Sequence, residues 1–349
     1  MKKFKLGVIF GGKSTENEVS VVSASSVLSN LNKEKYDIYP IFIDKEGKWW
    51  ETEIPKRTIN FGEKILKNSE IENIIEYLKK LDMVFPVLHG LYGEDGTIQG
   101  LLELLNIKYV GCHVLASSVS MDKVYTKVIL EKARIKQAKS EYIRKTEKGY
   151  IYIDSEFNEE KLEITDITNK ISEKLKFPMF VKPSNSGSSV GISKVENLKE
   201  LKEAIEFASK YDNKILVEQG INGREIECAV LGNEKIFASC VGEVKAADKF
   251  YSYDAKYNNK ESVTEIPAKL PEGVEKRIQK MAVKVFKALD GKGLARVDFF
   301  YDEKNDEIYL NEINTMPGFT NISMYPKLME VSGISYSDLL DRVIGLSME

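Results

Sequence analysis

Residues 293–314 read GLARVDFFYDEKNDEIYLNEIN, and this stretch decides the fold of the chain. Two runs of strand-forming residues flank the turn-forming segment 302–306, which predicts an antiparallel hairpin. Side chains alternate between the two faces of a strand, so a hairpin centred near Asn305 places residue 298 opposite residue 312 and gathers four polar side chains on one face. Those four residues are Arg296, Asp298, Glu312 and Asn314.

Three of these side chains carry hard oxygen donors. A small, open set of such donors is typical of Mg²⁺, which keeps water molecules and shares phosphate oxygens. The predicted magnesium ligands are therefore Asp298, Glu312 and Asn314. The alternative for each residue alone is the exposed polar face of a hairpin. We favour the metal site because apolar strand residues flank all of them.

A glycine- and serine-rich loop lies earlier in the chain, at residues 182–191, KPSNSGSSVG. Lys182 ends a predicted buried strand, and the loop offers many backbone N–H and hydroxyl donors that can wrap a phosphate chain. The alternative is a flexible linker. The strand patterns on both sides of the loop favour a phosphate site.

A third polar pattern follows at residues 215–221, ILVEQGI. A strand that runs into an extended segment exposes backbone groups able to bind an adenine edge, and the carboxylate of Glu225 could accept hydrogen bonds from ribose hydroxyls. On its own this pattern is weak evidence for a nucleotide site, because it occurs more often at the end of an ordinary strand.

The first hundred residues alternate between strand and helix patterns, which predicts a parallel sheet with ligands beyond the carboxyl ends of its strands. The predicted strands are 4–10, 38–43 and 83–88, and the predicted helices are 69–81, 97–105 and one that begins at the capping box Thr15-x-x-Glu18. Farther along, the predicted strands are 139–144, 177–182, 214–218, 225–231, 235–243, 294–301 and 307–313, and the predicted helices lie after 159 and at 199–210, 273–290 and 336–346.

Composition excludes several classes of protein. The 349 residues include 51 Lys and Arg against 54 Asp and Glu, and 42% of the chain is hydrophobic, which excludes a disordered chain. The near-neutral charge predicts no nucleic-acid partner, and the absence of an apolar run of roughly 18–20 residues predicts no membrane partner. The basic start runs into GGKSTENE, so we interpret it as a first strand and not as a signal peptide. Three cysteines without CxxC spacing predict buried thiols in a reducing cytosol.

A rival hypothesis comes from residues 7–14, GVIFGGKS, which fit the phosphate-loop pattern letter by letter and suggest a phosphate-loop NTPase. That pattern needs a strand before its first glycine. Gly7 instead lies inside the first predicted strand, and three of the six residues before it are lysine. We therefore interpret the loop as a strand-to-helix turn whose helix N-terminus faces a ligand.

Together, these motifs resemble the ATP-grasp superfamily, and specifically the D-alanine–D-alanine ligase family. The matching segments are GVIFGGKSTENEVS (7–20), VLHGLYGEDGTIQG (87–100), SMDKVYTK (120–127), VKPSNSGSSVGISKV (181–195), FYSYDAKY (250–257), ARVDFF (295–300) and NEINTMPGFTNISMYPKL (311–328). These segments match in order and spacing, and together they span nearly the whole chain. Residues 140–175 carry no matching motif.

The resemblance implies an α/β and α+β fold, with an N-terminal open parallel α/β domain followed by a two-subdomain ATP-grasp module. The implied divisions are residues 1–112 for the substrate-binding domain, 113–217 for the central subdomain and 218–349 for the C-terminal subdomain. The implied activity joins two D-alanine molecules through an acylphosphate, with release of ADP and phosphate, for peptidoglycan precursor synthesis. ATP would be the co-substrate, with two Mg²⁺ ions and Mn²⁺ as an alternative metal.

The resemblance also implies roles for individual residues. Glu16 would hold the ammonium group of the first D-alanine, with Ser188 and Tyr257 as its partners in a closing lid. The other implied substrate and oxyanion residues are His89, Arg296, Gly318, Ser323 and Met324. Those implied for ATP are Lys123, Lys182, Ser188, Ser189 and Lys256 around the phosphates, and Glu218, Gln219, Ile221 and Glu225 around adenosine.

The identity of the second substrate stays open at this stage, since related ligases make D-alanyl-D-lactate or D-alanyl-D-serine. Tyrosine at position 257 resembles the dipeptide-forming members, whereas lactate-forming relatives carry a histidine in the lid. The resemblance further implies a homodimer and a cytoplasmic location.

Overall fold

The first sheet is formed by the N-terminal part of the chain. The computed structural model describes residues 3–53, 59–245 and 263–349. The strands of the first sheet are β1 (Phe4–Gly11), β2 (Tyr36–Ile43), β3 (Trp49–Thr52), β4 (Lys67–Glu70), β5 (Met83–Val87) and β6 (Lys108–Tyr109). Their order is β4-β3-β2-β1-β5-β6, in which β2, β1, β5 and β6 are parallel. Antiparallel β3 and β4 extend one edge. The predicted open parallel domain is confirmed, with an antiparallel extension that was not predicted.

Two local predictions in this domain were wrong. Helix α1 (Asn17–Asn30) begins inside the predicted capping box, with Glu16 instead of Thr15 at the N-cap and no side-chain cap. The predicted helix 69–81 is instead strand β4 followed by the short helix α2 (Ile74–Leu78). The side chain of Asn73 accepts a hydrogen bond from the Glu76 backbone N–H, which fixes the start of α2 after the strand.

The second sheet is antiparallel and lies in the middle of the chain. Its strands are β7 (Ser140–Thr146), β8 (Gly149–Ile153), β9 (Glu159–Leu162), β10 (Met179–Pro183), β11 (Ser193–Val195) and β12 (Lys214–Gln219), in the order β11-β10-β12-β7-β8-β9. Helices α6 (Ile164–Lys174) and α7 (Leu198–Ala208) contribute buried apolar residues to its core. The residues just after 159, predicted as helix, form β9, and the helix begins at Ile164.

The third sheet is antiparallel and includes the hairpin predicted for residues 293–314. Its strands are β13 (Arg224–Leu231), β14 (Phe237–Lys245), β15 (Val263–Glu265), β16 (Leu294–Asp302) and β17 (Glu307–Asn314), in the order β15-β14-β13-β16-β17. Helix α8 (Val274–Ala288) packs against it. Helices α4 (Val114–Met121) and α5 (Lys123–Lys132) also contribute buried residues to this core.

The predicted hairpin pairing is confirmed, because Asp298 lies opposite Glu312 and Arg296 opposite Asn314. Near the turn the register differs by one residue, so Phe299 pairs with Leu310, and the irregularity lies between Asp298 and Phe299. This bulge leaves Asn311 without an opposite residue and brings Glu312 opposite Asp298.

The last two helices of the chain pack against both the first and the third sheet. Helices α9 (Met324–Val331) and α10 (Tyr336–Leu346) share one hydrophobic core with β1, α1 and β5, and also with residues of β13 and β14. Helix α3 (Thr97–Leu104) packs on the other face of the first sheet. None of the described helices is long and apolar enough to cross a membrane.

Candidate active site

Two adjoining cavities lie where the three sheets meet. The inner cavity includes Glu16, His89, Glu94, Lys123, Ser188, Arg296, Glu312, Asn314, Gly318, Ser323 and Met324 in its lining. The outer cavity includes Lys123, Lys182, Ser188, Ser189, Glu218, Gln219, Ile221, Glu225 and Glu312. Its volume of about 630 Å³ is within the usual range for small-molecule sites. Lys123, Ser188 and Glu312 line both cavities, so the two form one continuous candidate site.

The structure therefore brings together nearly every predicted site residue that it describes. Asp298 is not among the described lining residues; it is buried and bonded to Arg296 and Asn314, which line the inner cavity. The predicted lid residues Lys256 and Tyr257 lie outside the described residues, so their roles stay predictions.

The glycine-rich loop closes over the inner cavity through Ser188, whose hydroxyl donates a hydrogen bond to Glu16 Oε1. Ser188 and Ser189 both have left-handed backbone conformations, with φ of 47° and 60°. Consecutive non-glycine residues in that region are strained, and such strain is concentrated at functional sites. A Cβ on Gly187 would lie 2.7 Å from Glu16 Oε2, so a side chain at this position would have to displace the Glu16 carboxylate.

His89 is buried and holds the turn that follows β17. Burial lowers its pKa to about 4, so the ring is neutral at pH 7. Its Nδ1 lies 3.0 Å from the Met316 carbonyl oxygen and its Nε2 lies 2.9 Å from Ser23 Oγ. The Phe319 N–H donates to the same serine oxygen at 3.2 Å. His89 therefore lines the cavity as a neutral group, with both ring nitrogens bonded to protein.

Glu94 is a site residue that the sequence interpretation missed. Burial, reinforced by the nearby Glu16 carboxylate, raises the pKa of Glu94 well above its usual range. Its Oε1 accepts the Gly90 N–H at 2.9 Å, and its Oε2 accepts the Met316 N–H at 3.4 Å. Glu94 lies in the quoted segment 87–100, but nothing local distinguishes it from the neighbouring loop acid Asp95.

Arg296 is mostly buried, and its guanidinium lies between two carboxylates. Its guanidinium donates two hydrogen bonds to Asp298, at 2.8 and 2.7 Å, and its Nε lies 3.0 Å from Glu227 Oε2. Burial alone would lower the pKa of Arg296, but Asp298 and Glu227 outweigh burial and raise it well above the ordinary value. Glu227 was missed because its proximity depends on the pairing of β13 with β16, where it lies opposite Asp298.

The donors predicted to bind magnesium converge as expected. Asn314 Nδ2 donates to Asp298 Oδ2 at 3.0 Å, and Glu312 lies across from Asp298 on the neighbouring strand. Within residues 3–53, 59–245 and 263–349, no cluster of three or more His, Cys, Asp or Glu residues could hold a metal ion by itself. Two carboxylates and an amide fit Mg²⁺ only if water or a phosphate completes the coordination. A carboxylate has lone pairs enough to accept from Arg296 and also bind a cation.

A buried charge cluster lies in the outer cavity. The carboxylate of Glu218 lies 2.5 Å from Lys182 Nζ and 2.6 Å from Lys127 Nζ. Burial alone would raise the pKa of Glu218, but the two ammonium groups outweigh it and lower the pKa to about 2. Lys127 was missed by the sequence interpretation. On one side of the cluster, Lys123 Nζ donates to the Ser186 carbonyl at 2.6 Å.

Two further predicted residues close the far end of the inner cavity. Ser323 Oγ lies 3.1 Å from the Thr320 N–H, and a Cβ on Gly318 would lie 2.8 Å from the same oxygen. Ser323 is also the N-cap of α9, which begins at the buried residue Met324. The backbone at Gly318 and the hydroxyl of Ser323 therefore face the same small space.

The phosphate-loop hypothesis is wrong for this chain. Gly7 lies in the middle of β1, and a Cβ there would lie 2.5 Å from Leu81 Cδ1, so this glycine serves close packing within the sheet. The loop hydroxyl of Ser14 donates to the His89 carbonyl at 2.7 Å. The strand therefore continues through the first glycine to Gly11 instead of ending before it, and residues 7–14 do not have phosphate-loop geometry.

The fold and the site define an ATP-grasp ligase: two antiparallel sheets hold a lysine-lined cavity next to a substrate cavity under a glycine-rich loop. Two family models match the chain, "D-ala D-ala ligase N-terminus" over residues 5–112 and "D-ala D-ala ligase C-terminus" over residues 146–345. The chain belongs to the D-alanine–D-alanine ligase family.

The relatives reported below match along nearly their whole length. The chain is 50% identical to the D-alanine–D-alanine ligase of Acetivibrio thermocellus, covering 99% of this chain and 96% of that one, and 49% identical to that of Clostridium novyi, covering 100% and 99%. Among solved structures, it is similar to the VanG D-Ala:D-Ser ligase from Enterococcus faecalis (TM-score 0.82, 38% identity, coverage 99% and 100%). It is also similar to the Bacillus anthracis D-alanine–D-alanine ligase complexed with ATP (TM-score 0.75, 30% identity, coverage 99% and 97%).

Proposed function

We propose that the two cavities perform one reaction: ATP-dependent joining of two D-alanine molecules for peptidoglycan precursor synthesis. The observation that supports this most is the position of Ser188, which lines both cavities and donates its hydroxyl hydrogen to Glu16. The loop that would cover the phosphates thus touches the carboxylate that would hold the first substrate. A reactive intermediate formed between the cavities would be shielded from water.

In the first step, a carboxylate oxygen of the first D-alanine attacks the γ-phosphorus of ATP and ADP leaves. Glu16 holds the ammonium group of that substrate at the N-terminal end of α1. Lys123 and Lys182 neutralise the phosphates, which otherwise repel the attacking carboxylate. The adenosine occupies the end of the outer cavity formed by Gln219, Ile221 and Glu225, beside Glu218.

In the second step, the free amine of the second D-alanine attacks the carbonyl carbon of the acylphosphate. Arg296 and the Gly318 backbone N–H stabilise the oxyanion of the tetrahedral intermediate. Phosphate then leaves with the oxygen that bridged carbon and phosphorus and with the proton that the attacking amine gives up. Ser323, next to Met324, holds the carboxylate of the second substrate. The neutral ring of His89 keeps the loop with Gly318 in place through Met316.

Asp298, Glu312 and Asn314 would hold Mg²⁺, two ions with phosphate and water as further ligands, and Mn²⁺ would also suit these donors. When bound, the metal supplies positive charge to the phosphate oxygens. Of these donors, Glu312 lines both cavities and Asn314 lines the inner one, while Asp298 is buried beside Asn314.

The acceptor can be tested by ADP release in a coupled assay, with D-alanine first and D-alanine, D-serine or D-lactate as the second substrate across pH. We expect ADP release that requires D-alanine and Mg²⁺, with D-alanyl-D-alanine as the main product at neutral pH. D-serine is the second candidate acceptor because one structural neighbour is named a D-Ala:D-Ser ligase. Equal use of D-lactate at neutral pH would refute the dipeptide assignment.

Lys13→Ala is the control for that assay, since Lys13 is not among the described residues that line either cavity. It should retain activity within a few-fold, whereas a phosphate-loop enzyme would lose its activity with this lysine.

Several finer points belong to the same proposal. The domain boundaries would be 1–112, 113–217 and 218–349, and Lys256 and Tyr257 would complete the lid. The protein would act as a homodimer in the cytoplasm, where ATP is available and cell-wall precursors are made.

A further inference from the structure

Asp122 is a buried carboxylate for which the proposed reaction has no chemical use. It is 6% exposed and is not among the described residues that line the inner or outer cavity. It directly precedes Lys123, the lysine that lines both. A buried acid beside a phosphate-binding lysine requires an explanation, because burying a carboxylate is costly unless it is paired.

The carboxylate of Asp122 has four partners on three segments. It accepts the N–H groups of Val124 and Tyr125, at 3.2 and 3.3 Å, and so caps α5. It accepts the Ser184 hydroxyl at 2.6 Å and forms an ion pair with Lys214. The single side chain of Asp122 therefore joins three segments: helix α5, the residue that follows β10, and the first residue of β12.

Backbone hydrogen bonds connect the same three segments. The Lys123 N–H donates to the Ser184 carbonyl at 3.1 Å, and the Ser184 N–H donates to the Lys214 carbonyl at 2.8 Å. The next loop residue, Asn185, donates to Asp212 through its backbone N–H at 2.9 Å and its side-chain amide at 3.0 Å. The start of the glycine-rich loop is therefore fixed relative to α5, and Lys123 Nζ reaches the Ser186 carbonyl at 2.6 Å.

We propose that Asp122 is a positioning residue for the ATP phosphates: it fixes Lys123 and the loop after Ser184 as one preorganised unit. The inference rests on the proposed function. In this role Asp122 affects the affinity for ATP and not the affinity for D-alanine. The reason is that none of the four partners of Asp122 is a residue proposed to bind either D-alanine. Preorganised groups bind more tightly because less freedom is lost on binding.

The test compares the KM values for ATP and D-alanine in Asp122→Ala, Asp122→Asn and Ser184→Ala. Asp122→Ala should raise KM for ATP by about tenfold, equivalent to about 1.4 kcal/mol, with KM for D-alanine changed less than about twofold. Asp122→Asn keeps the helix cap but loses the charge opposite Lys214, so its KM for ATP should be intermediate. Titration of each variant with ADP by calorimetry should reproduce the order of affinities.

The matched control is Asn197→Ala, which removes the side-chain cap of α7, where Asn197 accepts the Glu200 N–H at 3.0 Å. It should lower the unfolding temperature without changing either KM. If Asp122→Ala only lowers the unfolding temperature, or changes both KM values equally, Asp122 is a structural cap and the proposal is refuted. If Asp122→Ala does not fold, the other two variants decide. Failure of the proposed function would be seen separately, as a wild-type enzyme without D-alanine-dependent ADP release.

Discussion

Replacing Arg296 with methionine is expected to lower kcat by about 10²- to 10³-fold, the range found when one oxyanion donor is lost. The same change should lower the free energy of unfolding by about 3–5 kcal/mol, since Glu227 and Asp298 would lose a buried partner. Initial rates of ADP release and denaturant unfolding measure the two effects.

A double variant separates the two effects. Arg296→Met combined with Glu227→Gln removes one of the two unpaired charges, so part of the stability should return while kcat stays low. Arg277→Met is the matched control, because Arg277 is exposed and its pair with Asp306 should contribute no more than about 1 kcal/mol. If Arg296→Met kept the wild-type kcat, Arg296 would not be an oxyanion donor.

The second large effect is expected from Glu312→Gln. The amide keeps the shape of the side chain but loses the charge that would face Mg²⁺ between the two cavities. We expect kcat to fall by about 10³-fold, since a catalytic metal contributes several kcal/mol of charge stabilisation. The apparent Mg²⁺ requirement should rise by at least about tenfold, measured as rate against Mg²⁺ concentration at constant ATP.

Glu307→Gln is the control on the same strand. Glu307 pairs with Lys136 at the opposite end of β17, away from the described walls of both cavities. Its rate and Mg²⁺ dependence should match those of the wild type. An unchanged Mg²⁺ dependence in Glu312→Gln would contradict the proposed metal ligands.

The hairpin shows how far local pattern predicts geometry. Alternation and a polar turn were enough to place Asp298 opposite Glu312. The one-residue bulge next to Asp298 was not predictable, because it depends on packing within the sheet. With the register seen near the turn, Asp298 would instead lie opposite Asn311, so the correct pairing followed from an assumed turn centre that the structure does not have.

The site residues that were missed share one property: each has a decisive contact that lies far away in the sequence. Glu94 bonds to the backbone of Met316, 222 residues farther along the chain. Lys127 reaches Glu218, and Glu227 reaches Arg296, across different strands and helices. Local sequence shows each of them as an ordinary charged residue, and only the tertiary fold gives these residues their partners.

The misassigned start of the predicted helix 69–81, where the structure has β4, has a different cause. Ile71, Ile74, Leu78 and Leu81 do contribute to one hydrophobic core, so their helical spacing was real information about burial. The residues before them are exposed, and their pairing with β3 as an edge strand is a non-local contact that helix periodicity cannot indicate.

The central claim is that the first D-alanine is activated as an acylphosphate, and oxygen transfer tests it most directly. The enzyme would be supplied with D-alanine carrying ¹⁸O in its carboxylate, and the phosphate released would be examined by mass spectrometry. The mechanism predicts one labelled oxygen in each phosphate for every dipeptide formed, because the attacking carboxylate oxygen leaves with the phosphorus. Unlabelled phosphate formed alongside the dipeptide would show that water attacks ATP directly, and would contradict the account.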